Sequence, residues 1–124
     1  MNTDDYLFTY FVIFDKTASM IPIYDQVVIH ELGKGNAKFK AVVDKYDPAT
    51  VDQAIHEIFV QLINARVFQG TITKDEIILS NTTPLAVEIL QHIQDEAFWS
   101  ALKQTADQWS HTPLTKFVID YIKG

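Results

Sequence analysis

Residues 47–81, DPATVDQAIHEIFVQLINARVFQGTITKDEIILSN, decide the fold. Val51, Ile55, Ile58, Phe59, Leu62 and Ile63 recur at the spacing of one helical stripe. Asp52, His56, Glu57, Gln61 and Asn64 lie largely outside it. Thr50 is the candidate N-cap, with Gln53 at the capping-box position, so a helix is predicted over 49–68. Gly70 then permits a turn into Thr71–Ser80, where TIT and EIIL can pair around Lys74-Asp75 as a short hairpin.

Upstream, Asn36 can cap a helix over Ala37–Tyr46, because Phe39, Val42, Val43 and Tyr46 share one helical face. A strand with Phe39, Ala41 and Val43 inward competes with it. Asp47-Pro48 ends the element, since the residue before a proline avoids the α region. Residues 3–16 begin with TDD, which suits the positive end of a helix dipole, but FTYFVIF has the composition of a strand. The balance favours a helix that is central or at an interface. Residues 21–32 carry both kinds of signal: Pro22 and Gly33 punctuate a helix, while VVI favours a strand.

Downstream, Thr83-Pro84 opens a helix over 84–94 with Leu85, Ile89 and Ile93 inward. A second helical stretch, 95–109, carries Phe98, Trp99, Leu102 and Trp109, and Pro113 starts a last helix with Leu114, Phe117, Val118, Tyr121 and Ile122 inside. The resulting fold class is mainly α with a small β-ribbon. The alternative is a three-stranded antiparallel sheet over residues 6–46 packed against the C-terminal helices.

A chain of 124 residues, 48% hydrophobic, can bury a core as a single domain without metal or disulfide help. It has no cysteine, which excludes disulfides, thiolate nucleophiles and cysteine-ligated zinc. The net charge is −6, and an acidic chain is repelled by phosphate backbones unless its cations gather on one face. Arg66 is the single arginine, and the nearest approach to a basic cluster is Lys34, Lys38 and Lys40. Leu7–Phe14 is too short to span a bilayer and follows Asp4 and Asp5, so no targeting segment, no membrane association and a cytoplasmic location are expected.

Catalytic and metal signals are weak. His30-Glu31 and His56-Glu57 are not HExxH: four residues on stand Lys34 and Val60. Asp4-Asp5, Asp75-Glu76 and Asp95-Glu96 are neighbours that diverge on a helix, and suit caps and turns better than acid–base pairs. GKGN (33–36) lacks the phosphate-loop spacing, and no serine sits in a G-x-S-x-G elbow. The expectation is no catalytic residue, no metal site, no cofactor and no enzymatic activity.

From about residue 36 to 110 the chain resembles winged helix-turn-helix domains, including prophage-associated YjcQ-like proteins of unknown function. The resemblance rests on FKAVVDKY, the DPAT turn, VDQAIHEIFVQLINARVFQG, the ribbon and PLAVEILQHIQDEAFWSALKQ. It implies a winged-helix-like scaffold, a phage or prophage origin, and a recognition helix over Thr50–Phe68. The partner or nucleic-acid face would then hold Gln53, His56, Gln61, Asn64, Arg66 and Lys74. Asp52 and Glu57 on that helix, and Asp75 and Glu76 beside Lys74, disfavour nucleic acid. The expected function is therefore a protein-interaction domain, with a protein or a second copy as partner and Phe11, Phe14, Trp99 and Trp109 at the interface. The alternatives are a DNA-binding transcriptional regulator and a small α+β ligand-binding domain or enzyme.

Overall fold

The first helix, α1 (Thr3–Met20), shows how the chain resolves its ambiguous N-terminus. The Asn2 side chain accepts the Asp5 amide at 2.8 Å and starts the helix, with Asp4 and Asp5 in the first turn. Tyr6, Leu7, Thr9, Tyr10, Phe11, Ile13 and Phe14 are all buried. These positions cover more than half of the helix circumference, with Phe8 and Val12 half-buried and Asp4 and Asp15 exposed on the other side. The Thr9 hydroxyl is satisfied locally by the Asp5 carbonyl at 2.8 Å.

The computed structural model describes residues 1–20, 23–24, 36–74, 76–92, 95–105 and 114–123. After α1 come β1 (Ile23–Tyr24), α2 (Ala37–Lys45), α3 (Pro48–Asn64), β2 (Phe68–Ile72), β3 (Ile77–Thr82), α4 (Pro84–His92), α5 (Glu96–Thr105) and α6 (Leu114–Lys123). The architecture is mainly helical with a small antiparallel sheet. Residues 3–20 and 37–45 are helical, which removes the alternative of a sheet built over residues 6–46. Among the described residues of that region only the two-residue β1 contributes to the sheet, and the rest of the 21–35 stretch lies outside the described residues.

Asn36 caps α2 as its sequence predicts, accepting the Phe39 amide at 2.9 Å, while Phe39 and Val42 face the core. The end of α2 is tied to the start of α1. Lys45 Nζ lies 2.9 Å from Asp5 Oδ2, and the Tyr46 hydroxyl donates to the same oxygen at 2.6 Å. Partial burial pushes the Asp5 carboxyl up, but the hydrogen bonds from Tyr46 and Lys45 hold it below its ordinary value.

Helix α3 differs from its sequence reading at both ends. Asp47 occupies the N-cap in extended conformation and Pro48 is the first helical residue, so Thr50 lies inside the first turn. The Thr50 hydroxyl bonds the Asp47 carboxylate instead of capping the backbone. At the far end the helix stops at Asn64. Val67 N–H bonds the Leu62 carbonyl and Arg66 N–H bonds the Ile63 carbonyl, both at 3.0 Å. That pair of bonds is a Schellman cap, with Arg66 at φ 60° in the left-handed position that glycine usually fills. The reversal is therefore made at Arg66 and not, as expected, at Gly70.

Gly70 has a different duty. It sits in β2 at an irregularity in the pairing with β3, and a Cβ there would lie 2.2 Å from the Ile78 carbonyl oxygen. The ribbon register runs from Phe68 opposite Thr82 to Ile72 opposite Ile77, and Thr73 N–H closes the turn on the Glu76 carbonyl. On the other side of β3, Ile23 pairs with Leu79 and Tyr24 with Ile78, giving the strand order β1-β3-β2.

Thr83 opens α4: its hydroxyl accepts the Ala86 amide at 3.3 Å and donates to the Val67 carbonyl at 2.7 Å, pinning the helix start to the turn between α3 and β2. Asp95 caps α5 through the Ala97 amide. One buried cluster joins the elements. It includes Phe14 and Phe39, Ile58 and Leu62 of α3, Phe68 and Leu79 of the ribbon, Ile89, Phe98 and Val118. Among the described residues no helix is long and apolar enough to cross a membrane.

Candidate partner-binding face

The core stripe of α3 is Val51, Ala54, Ile55, Ile58, Phe59 and Leu62. At about 100° per residue, the line directly opposite holds Gln53, Glu57, Val60 and Asn64. Gln53, His56 and Asn64 are exposed, as expected of a binding face. The Gln53 amide reaches the Glu57 carboxylate at 3.5 Å, a pairing of neighbours one turn apart. Arg66 is exposed at the end of the helix and Lys74 at the tip of the ribbon.

Gln61 departs from the expectation. Its side chain is half-buried and belongs to a network inside the chain. Its Nε2 donates to the Tyr6 hydroxyl at 3.1 Å, and its Oε1 accepts the Thr115 hydroxyl at 2.9 Å and the Thr115 amide at 3.4 Å. With Thr115 donating to Gln61, the Tyr10 hydroxyl donates in turn to Thr115 Oγ1, at 2.7 Å in the buried interior. The chain of bonds links α1, α3 and α6. Burial pushes the Tyr6 phenol up to about 12; the nearby Glu57 carboxylate adds to the rise, and the Gln61 hydrogen bond opposes it. Burial likewise drives Tyr10 far upward, against the Thr115 hydrogen bond. Both phenols are held protonated and act as hydrogen-bonding groups rather than proton-transfer groups.

The docking of α6 beside α3 leaves a groove of about 530 Å³ lined by His56, Glu57, Val60, Gln61, Asn64, Ala65, Thr115 and Lys116. Its lining is mainly apolar, with Glu57 and Lys116 as opposite charges on its walls. Thr115 and Lys116 gave no sign of this in the sequence, because they lie more than fifty residues from α3. Val60 gave a faint one: it is an apolar residue off the core stripe.

The expected interface aromatics resolve differently. Phe11 is 5% exposed and Phe14 fully buried, so neither faces a partner. They belong to the core, because they lie on the broad buried side of α1. Phe14 packs edge-to-face on Phe68 at 5.2 Å, and Phe11 on Phe98 at 5.8 Å. Trp99 is half-buried and stacks edge-on against Phe11 at 4.7 Å. Trp109 lies outside the described residues, as do His30-Glu31 and His111. Among the described residues no group of three or more His, Asp or Glu is placed to hold a metal ion. Asp95 is a helix cap, and Asp5 is engaged by Lys45 and Tyr46. No protein-family model, curated protein or solved structure matches the chain.

Proposed function

We propose that this chain is a non-enzymatic protein-interaction domain on a winged-helix-like scaffold, of phage or prophage origin, whose α3 is not used to read DNA. The scaffold reading is supported by the element order helix–strand–helix–helix–strand–strand over residues 3–82 and the strand order β1-β3-β2. In a winged helix, α3 would be the recognition helix and β2–β3 the wing.

The observation that carries the functional reading is the docking of α6 against α3 through Thr115 and Gln61. A helix with its side chains is about 10–12 Å across and the major groove about 12 Å wide, so a recognition helix fills the groove alone. The first turn of α6 stands beside one flank of α3 at Gln61, so a duplex would have to accommodate both helices. Asp52 and Glu57 on the same helix, in a chain of net charge −6, add repulsion from phosphates. What is left is an exposed, mixed polar and apolar face with a groove, which suits a protein surface.

A DNA-binding regulator is the second reading. It is favoured by Gln53, His56 and Asn64 standing exposed on one helix with Arg66 and Lys74 beyond them. Fluorescence anisotropy with a mixed-sequence duplex at about 50 mM salt separates the two readings, because phosphate-driven binding is strongest at low salt. The expected result is no retention. Binding that weakens steeply as salt rises would overturn the interaction reading.

A further inference from the structure

We infer that the outward line of α3 is a self-association surface, on which a second copy of this chain packs its own α3 antiparallel across a two-fold axis. The inference rests on the protein-interaction reading and names the partner.

Gln53, Glu57, Val60 and Asn64 follow one another at steps of four, three and four residues. That is the spacing of a helix–helix seam on the side of α3 away from the core stripe, with Gln53 and Asn64 exposed at its ends and Glu57 and Val60 half-buried at its centre. The spacing is also symmetric about its own centre, between Glu57 and Val60. An antiparallel copy therefore sets Gln53 against Asn64 of the second copy, amide to amide, and Glu57 against Val60. An isologous contact requires this kind of self-complementary patch.

The charges agree with the pattern. The chain as a whole is acidic, which keeps copies apart at long range. The groove beside the seam is instead balanced, with Glu57 and Lys116 both on its walls. Thr115 bonds Gln61, so the adjacent Lys116 lies toward the C-terminal half of α3, past Glu57. Reversing one helix against the other brings Glu57 of each copy to the Lys116 side of its mate. A partner with a uniformly charged surface would satisfy only half of this arrangement.

The seam spans about 16 Å, from eleven steps between residues at about 1.5 Å each, and two helices pack at roughly 8–10 Å between axes. A contact of this length falls at the small end of specific interfaces. The expected association is on the order of micromolar and concentration-dependent.

Charge exchange tests the arrangement. Glu57→Lys places two lysines together at each end of a homodimer, and Lys116→Glu places two acids together. Each variant is expected to weaken self-association by about tenfold or more in sedimentation equilibrium. An equimolar mixture of the two variants restores opposite charges at both contacts, so it is expected to form the heterodimer at about wild-type concentration. A folding defect in either variant would not be repaired by mixing. A wild-type chain that stays monomeric at several hundred times the expected dissociation constant overturns the inference, as does a dimer indifferent to both exchanges. With no duplex retained, either result leaves the broader interaction reading in place, whereas retention of duplex DNA overturns both.

Discussion

Gln61 on α3 and Thr115 on α6, 54 positions apart, are joined through both the hydroxyl and the amide of Thr115. The same carboxamide holds the Tyr6 hydroxyl, so three helices meet on one side chain. Gln61→Ala leaves Thr115 and Tyr6 without this partner in a poorly hydrated site, and is expected to cost about 1–3 kcal/mol. Thr115→Val keeps the shape and removes the hydroxyl, with an expected loss of about 1–2 kcal/mol. Because both changes break the same bond, the double variant should fall short of additivity by at least ~0.5 kcal/mol in urea denaturation. Strict additivity would mean that the two residues stabilise the chain independently.

The network also sets how the fold responds to alkali. Tyr6 is raised from 10.0 to about 12 in the folded chain, chiefly by burial. Its folded value lies above its unfolded one, so its contribution is complete below pH 10 and is lost as pH rises through about 12. Tyr10 is shifted in the same direction and adds to the slope. Urea midpoints measured as a function of pH should therefore fall steeply above pH 10. In ultraviolet titration, Tyr6 and Tyr10 should ionise only as the fold is lost. If they ionise near the free tyrosine value with the fold intact, the two phenols are not held as described.

How far the sequence revealed this arrangement depends on the range of the interactions. The α2 cap at Asn36 and the Thr83-Pro84 start of α4 were legible, because each is a bond between a side chain and an amide three residues on. The core stripe of α3 was legible from its period. Its two ends were not. Asp47-Pro48 carries a stop signal for one helix and a start signal for the next, and the stop was read alone. The left-handed residue is Arg66, where no glycine marks it. In α1 the aromatic and β-branched run imitates a strand, and burial of a broad helical face overrides that local preference. The outward side of α3 was partly legible: Gln53, His56 and Asn64 are exposed as their spacing implied. Gln61 was misread because its partners Tyr6 and Thr115 are both more than fifty residues away, and nothing in a local pattern announces such a bond.

Gly70 offers a test of the ribbon. Its missing side chain lets β2 approach the Ile78 carbonyl, where a Cβ would be 2.2 Å from the oxygen. The obstacle is backbone in the neighbouring strand, so no rotamer change relieves it. Gly70→Ala is expected to lower stability by about 3 kcal/mol by forcing β2 and β3 apart. Loss of amide-exchange protection at the pairs around Leu79 and Ile78 should accompany it. A variant with an unchanged midpoint and unchanged protection would show that the strands do not approach this closely.

Arg66 presents the opposite case, a side chain where the backbone favours its absence. At φ 60° it completes the Schellman cap of α3, accepting a conformation that costs a non-glycine residue about 1–2 kcal/mol. The residue is exposed, so replacement opens no cavity. Arg66→Gly removes the steric cost, while the freer glycine makes the unfolded chain harder to order by about 0.5–1 kcal/mol. The first effect is the larger, so the variant is expected to gain about 0.5–1 kcal/mol in urea denaturation. Arg66→Val should go the other way, since a β-branched side chain is the worst fit to a left-handed position. A loss of stability in the glycine variant would mean that the arginine side chain makes a contact worth more than the strain.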